Sequence, residues 1–522
     1  MDQISSQGKR SRSRRRGQAA RQRPKSKAAV WPGVVGGRYA PLEESELKQV
    51  HEAVMQLLEV VGLSAAPRTM IEKVCAAGGE LTSTERLLFP RTIVEEAIAG
   101  VRKQQLLYSR RDEPPMDISG ARVHTSTGGG TPAILDPESG EYRPSTAKDL
   151  YDAARLVDQL EHIHMFSRPM VCTDAPNPKS LDVTTAYACL AGTSKHVCVS
   201  VTEPDNVADV AAICYEIAGG EQAFRDRPFL TVMATHVVPP MRFATDACEV
   251  VEQAVLHGMP VQLISAGQMG ATSPVTIAGS LVQAVCESLA GVTFAWLVDP
   301  DASIVFAPKP LVSDLRTGAM CGGSGEQAML MASAAQMGRF YGLPTSSIAG
   351  YTDSKVHDAQ AGYEKSLSVA LAAHAGCNII THSCGTLASM LGCSLESFVI
   401  DNDMLGGVLR SIRGAEVNAE TLATEVITDV VNGEGHYLGH GQTLARMESD
   451  YVYPEIADRQ VPSAWTESGS KDMLIRGREA VERLLASHYP SCISPQVDNK
   501  LRQRFEIILP ADAMRPLEET KP

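Results

Sequence analysis

Apolar residues near the start of the chain recur at the spacing of an amphipathic helix. Between residues 41 and 63 they fall every three or four positions, and glutamates crowd the first turn, where the helix dipole favours them. A second helix is predicted over residues 66–77, and a third begins at Pro90, because proline is favoured at helix starts. Together these helices predict an N-terminal helical cap over residues 37–120.

Beyond residue 120, short β-rich runs alternate with long alanine-rich helical stretches. The runs are nearly continuous in apolar residues, as expected for parallel strands buried on both faces. The first four start about 30 residues apart, which is the length of one strand plus one crossover helix. Eight strands are predicted, at residues 162–169, 196–202, 229–236, 260–267, 303–308, 345–351, 377–384 and 396–403.

Eight strand–helix units predict an α/β fold, a (β/α)8 TIM barrel, over residues 121–490, with a C-terminal extension at 491–522. An open doubly wound sheet that binds a dinucleotide would carry GxGxxG between a strand and a helix, and we find no such motif in that context. The glycine-rich run 126–131 precedes the first predicted strand and is interpreted as a turn or cap loop.

Composition and charge narrow the class of protein. Hydrophobic residues make up 44% and charged residues 21%, as in an ordinary soluble globular protein. Residues 1–36 are predicted to be a disordered basic tail, but the net charge of the whole chain is −13, so we expect no nucleic-acid binding. We find no secretory signal and no apolar run of bilayer length, and the 12 cysteines form no CxxC pair. We therefore expect a cytoplasmic protein with neither membrane contact nor a disulfide framework.

Active sites of (β/α)8 barrels lie at the carboxyl ends of the strands. Polar residues cluster at those positions here, and the candidate catalytic residues are His382, Asp401 and Glu203. A core histidine and a helix N-cap are the alternative interpretations of His382 and Asp401. No HExxH or EF-hand pattern predicts a metal site, and no GxSxG elbow predicts serine hydrolysis.

Three further motifs resemble those of the trimethylamine methyltransferase family. They are Thr352-Asp-Ser-Lys355 with Asp358-Ala-Gln-Ala-Gly-Tyr-Glu-Lys365, then Gly322-Gly-Ser-Gly-Glu-Gln327, and the helix that starts at Pro41. The resemblance runs from about Gly37 to Tyr489 and implies a (β/α)8 barrel that demethylates a methylated amine. In the best-known members the methyl group passes to cob(I)alamin on a separate corrinoid protein.

Family members that act on trimethylamine contain pyrrolysine, whereas this sequence has standard residues only. It therefore resembles the pyrrolysine-free branch, which includes glycine betaine methyltransferases. A quaternary ammonium is already an activated methyl donor, because it leaves as a neutral tertiary amine. Such an enzyme must desolvate the cation and aim one methyl group at a nucleophile.

Aromatic faces and carboxylates stabilise a quaternary ammonium, and a betaine carboxylate needs hydrogen-bond donors. On this basis the predicted substrate-binding residues are Phe166, Arg168, His236, Gln268, Phe306, Tyr351, Asp353, Gln360, Tyr363 and His374. The predicted cofactor-binding residues are Gly322, Gly323, Glu326 and Asp403.

The methyl acceptor stays open between cobalamin on a partner corrinoid protein and tetrahydrofolate. The cobalamin-binding motif DxHxxG is missing from the sequence, and we expect no covalently bound cofactor and no metal. Two other functions stay open: a non-catalytic sensor of quaternary amines, and an unrelated barrel lyase or hydrolase with His382 and Asp401 as its acid–base pair. We expect a homo-oligomer.

Overall fold

A computed structural model of the chain describes residues 39–447 and 450–516. The predicted basic tail at residues 1–36 lies outside the described residues. Within them, the chain forms a parallel sheet surrounded by helices, with a helical segment before it and further helices after it.

Eight short parallel strands form the centre of the fold. They are β1 (His124–Thr125), β2 (Met165–Ser167), β3 (His196–Val199), β4 (Leu230–Thr235), β5 (Val261–Ser265), β6 (Ile304–Pro308), β7 (Ser346–Ile348) and β8 (Ile379–Thr381). Strands β2 to β6 pair in chain order, and β7 pairs with β8, which pairs with β1. Parallel bridges Ser126–Met165 and Phe306–Thr345 join these two groups at both edges. The pairings therefore run through all eight strands and return to the first, as the predicted (β/α)8 fold requires.

The prediction of the eighth strand at 396–403 is wrong, because these residues lie inside the helix Leu395–Arg413. Ser394 caps this helix by accepting a hydrogen bond from the backbone N–H of Ser397. The buried Phe398, Leu405 and Val408 follow helical spacing. The missing strand is β1, which precedes the others and has only two residues.

Helices connect and cover the strands. The first three lie in the predicted cap: α1 (Glu44–Val60), α2 (Arg68–Ala76) and α3 (Arg91–Gly100). The helices that follow β1 to β4 are α4 (Ala147–Asp158), α5 (Pro178–Gly192), α6 (Asn206–Ala218) with α7 (Glu221–Asp226), and α8 (Thr245–Leu256). Those that follow β5 to β8 are α9 (Ile277–Val298), α10 (Gly325–Tyr341), α11 (Ala359–His374) and α12 (Leu395–Arg413). The C-terminal helices are α13 (Thr424–Asn432), α14 (Gly441–Arg446), α15 (Pro462–Glu467), α16 (Met473–Ser487) and α17 (Pro495–Arg504).

Contrary to the expectation that no apolar run reaches bilayer length, helix α9 has 22 residues and is apolar enough to cross a membrane by length and composition alone. It is mostly buried and packs against β5, β6 and the cap helices, as a core helix of a barrel does. Its one charged residue, Glu287, is fully buried and accepts hydrogen bonds from the backbone N–H of Met241 and from the side chain of Gln283. Helix α9 is therefore part of the core.

Two small sheets lie beyond the carboxyl ends of the barrel strands. In one, Gln268–Met269 pairs with Leu311–Val312, which joins the loops after β5 and β6. In the other, the hairpin Thr386–Leu387 and Gly392–Cys393 pairs with Ala133–Leu135, which joins the loops after β8 and β1. These pairings hold the loops that carry the candidate active site.

Candidate active site

Lys309 lies at the carboxyl end of β6 and is almost fully buried. Its Nζ donates a hydrogen bond to Oγ1 of Thr381, at the end of β8, over 2.9 Å. Among the described residues no carboxylate pairs with this ammonium. Burial lowers the pKa of Lys309 to about 8. A lysine buried without a counter-ion is costly, so the barrel carries a charge that serves something other than packing.

His382 follows β8 in the left-handed backbone region, with φ of 64°. Its Nδ1 lies 3.2 Å from Oγ1 of Thr381, and its ring meets the edge of Tyr351 at 6.3 Å between centroids. Burial, and then the cation of Lys309, lower the pKa of His382 to about 3. The imidazole is therefore neutral at physiological pH.

Tyr351 is fully buried, and its hydroxyl has no hydrogen-bond partner in the part of the chain that the structure describes. Gly322 packs flat against the ring, since a Cβ built on Gly322 would lie 1.8 Å from Cε2 of Tyr351. Gly322 is therefore needed for close packing on the tyrosine.

Arg168 follows β2, and its Nε is buried without a hydrogen-bond partner. No described residue accepts a hydrogen bond from the guanidinium or forms an ion pair with it. Burial lowers the pKa of Arg168 from its ordinary value, although an arginine stays charged. A buried cation of this kind is a ready site for an anionic ligand.

The glycine-rich run 126–131 leaves β1 and passes between His382 and Arg168. A Cβ on Gly128 would lie 3.0 Å from Nδ1 of His382, and a Cβ on Gly130 would lie 2.8 Å from an Nη of Arg168. The run was expected to precede the first strand of the barrel, and this expectation is wrong because it follows β1, a strand that the sequence pattern did not predict. The glycines leave space at the mouth between these two side chains.

Asp353 and Gln360 brace the loop after β7. Asp353 accepts hydrogen bonds from the backbone N–H of Gly322 over 2.9 Å and from Oγ of Ser389 over 2.8 Å. Gln360 donates to Glu364 over 2.8 Å, and Glu364 also accepts from the backbone N–H of Asp353. Gly323 packs on the same Glu364, where a Cβ would lie 2.1 Å from its carboxyl carbon. These groups fix the loop that carries Tyr351.

Phe166 and Phe306, predicted to bind substrate, are fully buried in the hydrophobic core. Phe306 packs edge-on against Tyr341 of α10 at 6.0 Å, so its ring faces the helix layer. Neighbouring residues in a strand face opposite sides, and Ser167, next to Phe166, bonds Ser126 of the adjacent strand over 2.8 Å. The predicted contact of these two rings with a substrate is therefore wrong.

His236 and His374 are also turned away from the mouth. Nε2 of His236 donates to the carbonyl oxygen of Glu287 over 2.9 Å, and a Cβ on Gly291 of α9 would touch its ring. His374 ends α11, which returns the chain to the opposite end of the barrel, and it bonds Ser411 over 3.0 Å. Their assignment as substrate-binding residues is wrong because both contact the helix layer.

Asp401 and Asp403 lie on α12 and not at a strand end. Asp401 pairs with Lys365 over 2.7 Å and accepts a hydrogen bond from the backbone N–H of Gly385 over 2.9 Å. Asp403 accepts hydrogen bonds from the backbone N–H groups of Glu455, Ile456 and Ala457. The predicted position of Asp401 at a strand end is wrong, and its carboxylate is bonded to Lys365 and to the loop after His382; its role as an acid–base partner of His382 stays a prediction.

The other candidates lie nearer the surface. Glu203, Glu326 and Tyr363 are exposed, and Tyr363 is 61% exposed on α11. Gln268 is half-buried beyond β5, where its side chain accepts a hydrogen bond from Ser313 over 3.4 Å. Their functional roles stay predictions.

Sequence reasoning missed Lys309 and the two glycines, Gly128 and Gly130. Lys309 comes one residue after the predicted end of its strand, and a charged residue directly after an apolar strand was the available signal. Among the described residues, no group of three or more histidine, cysteine, aspartate and glutamate side chains is placed to hold a metal ion.

Eight parallel strands paired in a cycle, with polar and charged side chains at their carboxyl ends, define a barrel-type α/β enzyme. The family model for trimethylamine methyltransferase matches residues 9–506, so the chain belongs to that family. The resemblance seen in the sequence is thereby confirmed.

Named relatives cover nearly the whole chain. A trimethylamine methyltransferase from Desulfitobacterium hafniense (strain DSM 10664 / DCB-2) is 29% identical over 476 residues, or 91% of this chain and 95% of that protein. A glycine betaine methyltransferase from Desulfitobacterium hafniense (strain Y51) is 26% identical over 465 residues, or 89% and 96%. The solved monomethylamine methyltransferase of Methanosarcina barkeri is 13% identical, with a TM-score of 0.49 over 85% of this chain and 88% of its own.

Proposed function

We propose that this chain is a methyltransferase that demethylates a quaternary amine carrying a carboxylate, such as glycine betaine. The observation that carries the proposal is the half-buried guanidinium of Arg168 at the barrel mouth, whose Nε is buried without a hydrogen-bond partner among the described residues. A betaine offers the carboxylate that this guanidinium lacks, whereas trimethylamine offers none. The glycine betaine methyltransferase among the relatives supports the same class of substrate.

The cationic end of the substrate would lie near Tyr351 and the neutral His382. An aromatic ring attracts a quaternary ammonium, and a neutral imidazole does not repel it. In the transfer, one C–N bond breaks, nitrogen keeps the electron pair as a neutral tertiary amine, and the methyl carbon bonds to the acceptor nucleophile. The protein's part is to orient the substrate and exclude water.

The acceptor we propose is cobalamin on a partner corrinoid protein, as the family resemblance implies, with tetrahydrofolate as the alternative. Methyl transfer from betaine, measured with each acceptor in turn, separates the two. Product with free cob(I)alamin or a corrinoid protein, and none with tetrahydrofolate, supports the corrinoid version; the reverse result supports folate.

Binding calorimetry tests the class of substrate. Glycine betaine, proline betaine and carnitine should bind, and trimethylamine should bind far more weakly because it lacks the carboxylate. Tight trimethylamine binding without zwitterion binding would refute the proposal. Micromolar betaine binding without turnover by either acceptor would favour a non-catalytic sensor.

We also propose a cytoplasmic homo-oligomer. The support for association is the segment from Gly414 to Val461, which exposes several large apolar side chains, among them Val431 at 72% and Leu438 at 82%. A concentration of exposed apolar side chains in one segment favours an interface there. Light scattering coupled to size-exclusion chromatography should give a mass above 55.9 kDa for the native chain and a lower mass for the Leu438→Asp variant; a monomeric native chain would refute the oligomer.

A further inference from the structure

We propose that Lys309 is a positioning residue that, through Thr381, holds His382 as the Nδ1–H tautomer and leaves Nε2 unprotonated. The role assigned to that Nε2, toward a cationic substrate, rests on the proposed function. The tautomer itself rests only on contacts within the chain.

The number of protons and lone pairs on the Thr381 hydroxyl determines which atom is the donor in each of its hydrogen bonds. Thr381 has one hydroxyl proton, which it donates to the carbonyl oxygen of Ser347 over 2.6 Å. Its oxygen can then only accept, and the Lys309 ammonium, which has no lone pair, donates to it over 2.9 Å. Nδ1 of His382 lies 3.2 Å from the same oxygen and must therefore also donate an N–H to it. A neutral imidazole with its proton on Nδ1 carries the lone pair on Nε2.

The charges around His382 keep it neutral. Lys309 is the cation that faces it from β6, and Tyr351 faces it from β7 with a neutral phenol. From the loop after β1, Gly128 packs against its ring and the carbonyl oxygen of Thr127 accepts a hydrogen bond from its backbone N–H over 3.3 Å, and neither residue is charged. On α12, Asp401 is occupied by Lys365 and by the backbone N–H of Gly385. No described carboxylate is thus placed to stabilise an imidazolium, and the ammonium of Lys309 opposes one.

A neutral imidazole suits a cationic substrate. Protonated His382 would add its repulsion of a quaternary ammonium to that of the nearby Lys309 ammonium, whereas the Nε2 lone pair of the neutral ring attracts the cation. We therefore expect the affinity for glycine betaine to be nearly constant between pH 5 and 7.5, the interval in which an ordinary imidazole titrates.

The test uses the full chain labelled with ¹⁵N-histidine, with the His382→Gln variant to identify the His382 signals. The native protein should show the Nδ1–H tautomer and no titration of His382 between pH 5 and 8. In Lys309→Met the pKa of the same ring should rise above its native value, although burial still holds it below that of an ordinary imidazole, and Lys309→Arg should restore the native behaviour. Thr381→Val keeps the charge but removes the acceptor, so it should lose the tautomer preference while His382 stays unprotonated.

A native His382 with its proton on Nε2, or one whose signals Lys309→Met leaves unchanged, would overturn the proposal. Calorimetry tests the effect on binding: the betaine affinity of Lys309→Met should fall about tenfold per pH unit below the pKa that His382 has in this variant. Thermal melts show whether each variant is folded. If betaine fails to bind the native protein at any pH, the proposed function fails, while the tautomer result stands or falls on the NMR spectra alone.

Discussion

Arg168 and Gly130 show how single residues define the mouth of the barrel. A half-buried guanidinium whose Nε is buried without a partner lowers the stability of the folded chain, because part of its solvation is lost and no hydrogen bond replaces it. Active sites commonly retain such groups at a cost in stability. Substitutions at these two residues should therefore have different effects on betaine binding and on the stability of the fold.

Replacing Arg168 by methionine should weaken glycine betaine binding roughly 10- to 100-fold, the value of a charge-assisted hydrogen bond. The same change should raise the free energy of unfolding by about 1–3 kcal/mol, because an uncompensated buried charge is removed. Calorimetry and urea unfolding measure the two effects. Choline, which lacks the carboxylate, is the control ligand, and an equal loss of choline affinity would argue against a carboxylate contact.

Replacing Gly130 by alanine should weaken betaine binding, since the new Cβ would lie 2.8 Å from the guanidinium of Arg168. Gly140→Ala is the matched control, because Gly140 has a similar φ of 71° and no atom within 4 Å of the added Cβ. Both variants should lose about 1 kcal/mol of stability from the left-handed backbone. Only Gly130→Ala should lose affinity, and equal affinities of the two variants would contradict this account of the loop.

At the scale of elements, sequence periodicity predicted seven of the barrel strands and the helices of the cap. It failed at β1 because a two-residue strand, His124–Thr125, shows no periodicity. It failed at α12 because the apolar residues within 396–403 are compatible with a strand as well as a helix. Only the N-cap at Ser394 indicates that a helix begins there. These two errors placed the glycine-rich loop before the first strand and Asp401 at a strand end.

The candidate site was harder to predict than the fold, since it depends on the direction of each side chain. His382, Tyr351 and Arg168 were recognised from their positions after strands. The outward direction of Phe306 follows from strand register, which residue types do not reveal. Whether Lys309 has a counter-ion depends on which residues from distant parts of the chain surround it in the fold. A single sequence could not show that it has none among the described residues.

The pairing of α11 with α12 gives a prediction at the scale of elements. Asp401→Asn should lower the free energy of unfolding by about 3 kcal/mol, because Lys365 would stay buried without a counter-ion. Lys500→Met, which breaks the exposed pair with Glu216, is the control and should change stability by less than about 0.5 kcal/mol. Similar losses in the two variants, measured by urea unfolding, would show that burial does not control the Lys365–Asp401 pair.

For the whole molecule, buried neutral histidines should make stability depend on pH. Burial lowers the pKa of His196 and of His236 to about 4 in the folded protein, against about 6.5 in the unfolded chain. Between these values only the unfolded chain binds the proton, so stability is complete above pH 6.5 and falls as the pH drops toward 4. Each histidine contributes a slope of roughly 1.4 kcal/mol per pH unit in that interval.

Urea unfolding at pH 7, 6 and 5 measures this slope. His236→Gln should reduce it by the contribution of one histidine, whereas the exposed His436→Gln should leave it unchanged. An unaltered slope in His236→Gln would mean that this imidazole is not held neutral by burial.

The function proposed for the barrel mouth is methyl transfer from a carboxylate-bearing quaternary amine. Its most direct test is the formation of dimethylglycine from methyl-labelled glycine betaine by the purified chain, supplied in parallel with cob(I)alamin, a corrinoid protein and tetrahydrofolate. Labelled methyl should appear on one of these acceptors, with little transfer by Arg168→Met and little transfer from trimethylamine. Demethylation of trimethylamine but not of betaine, or betaine turnover unaffected by Arg168→Met, would contradict it.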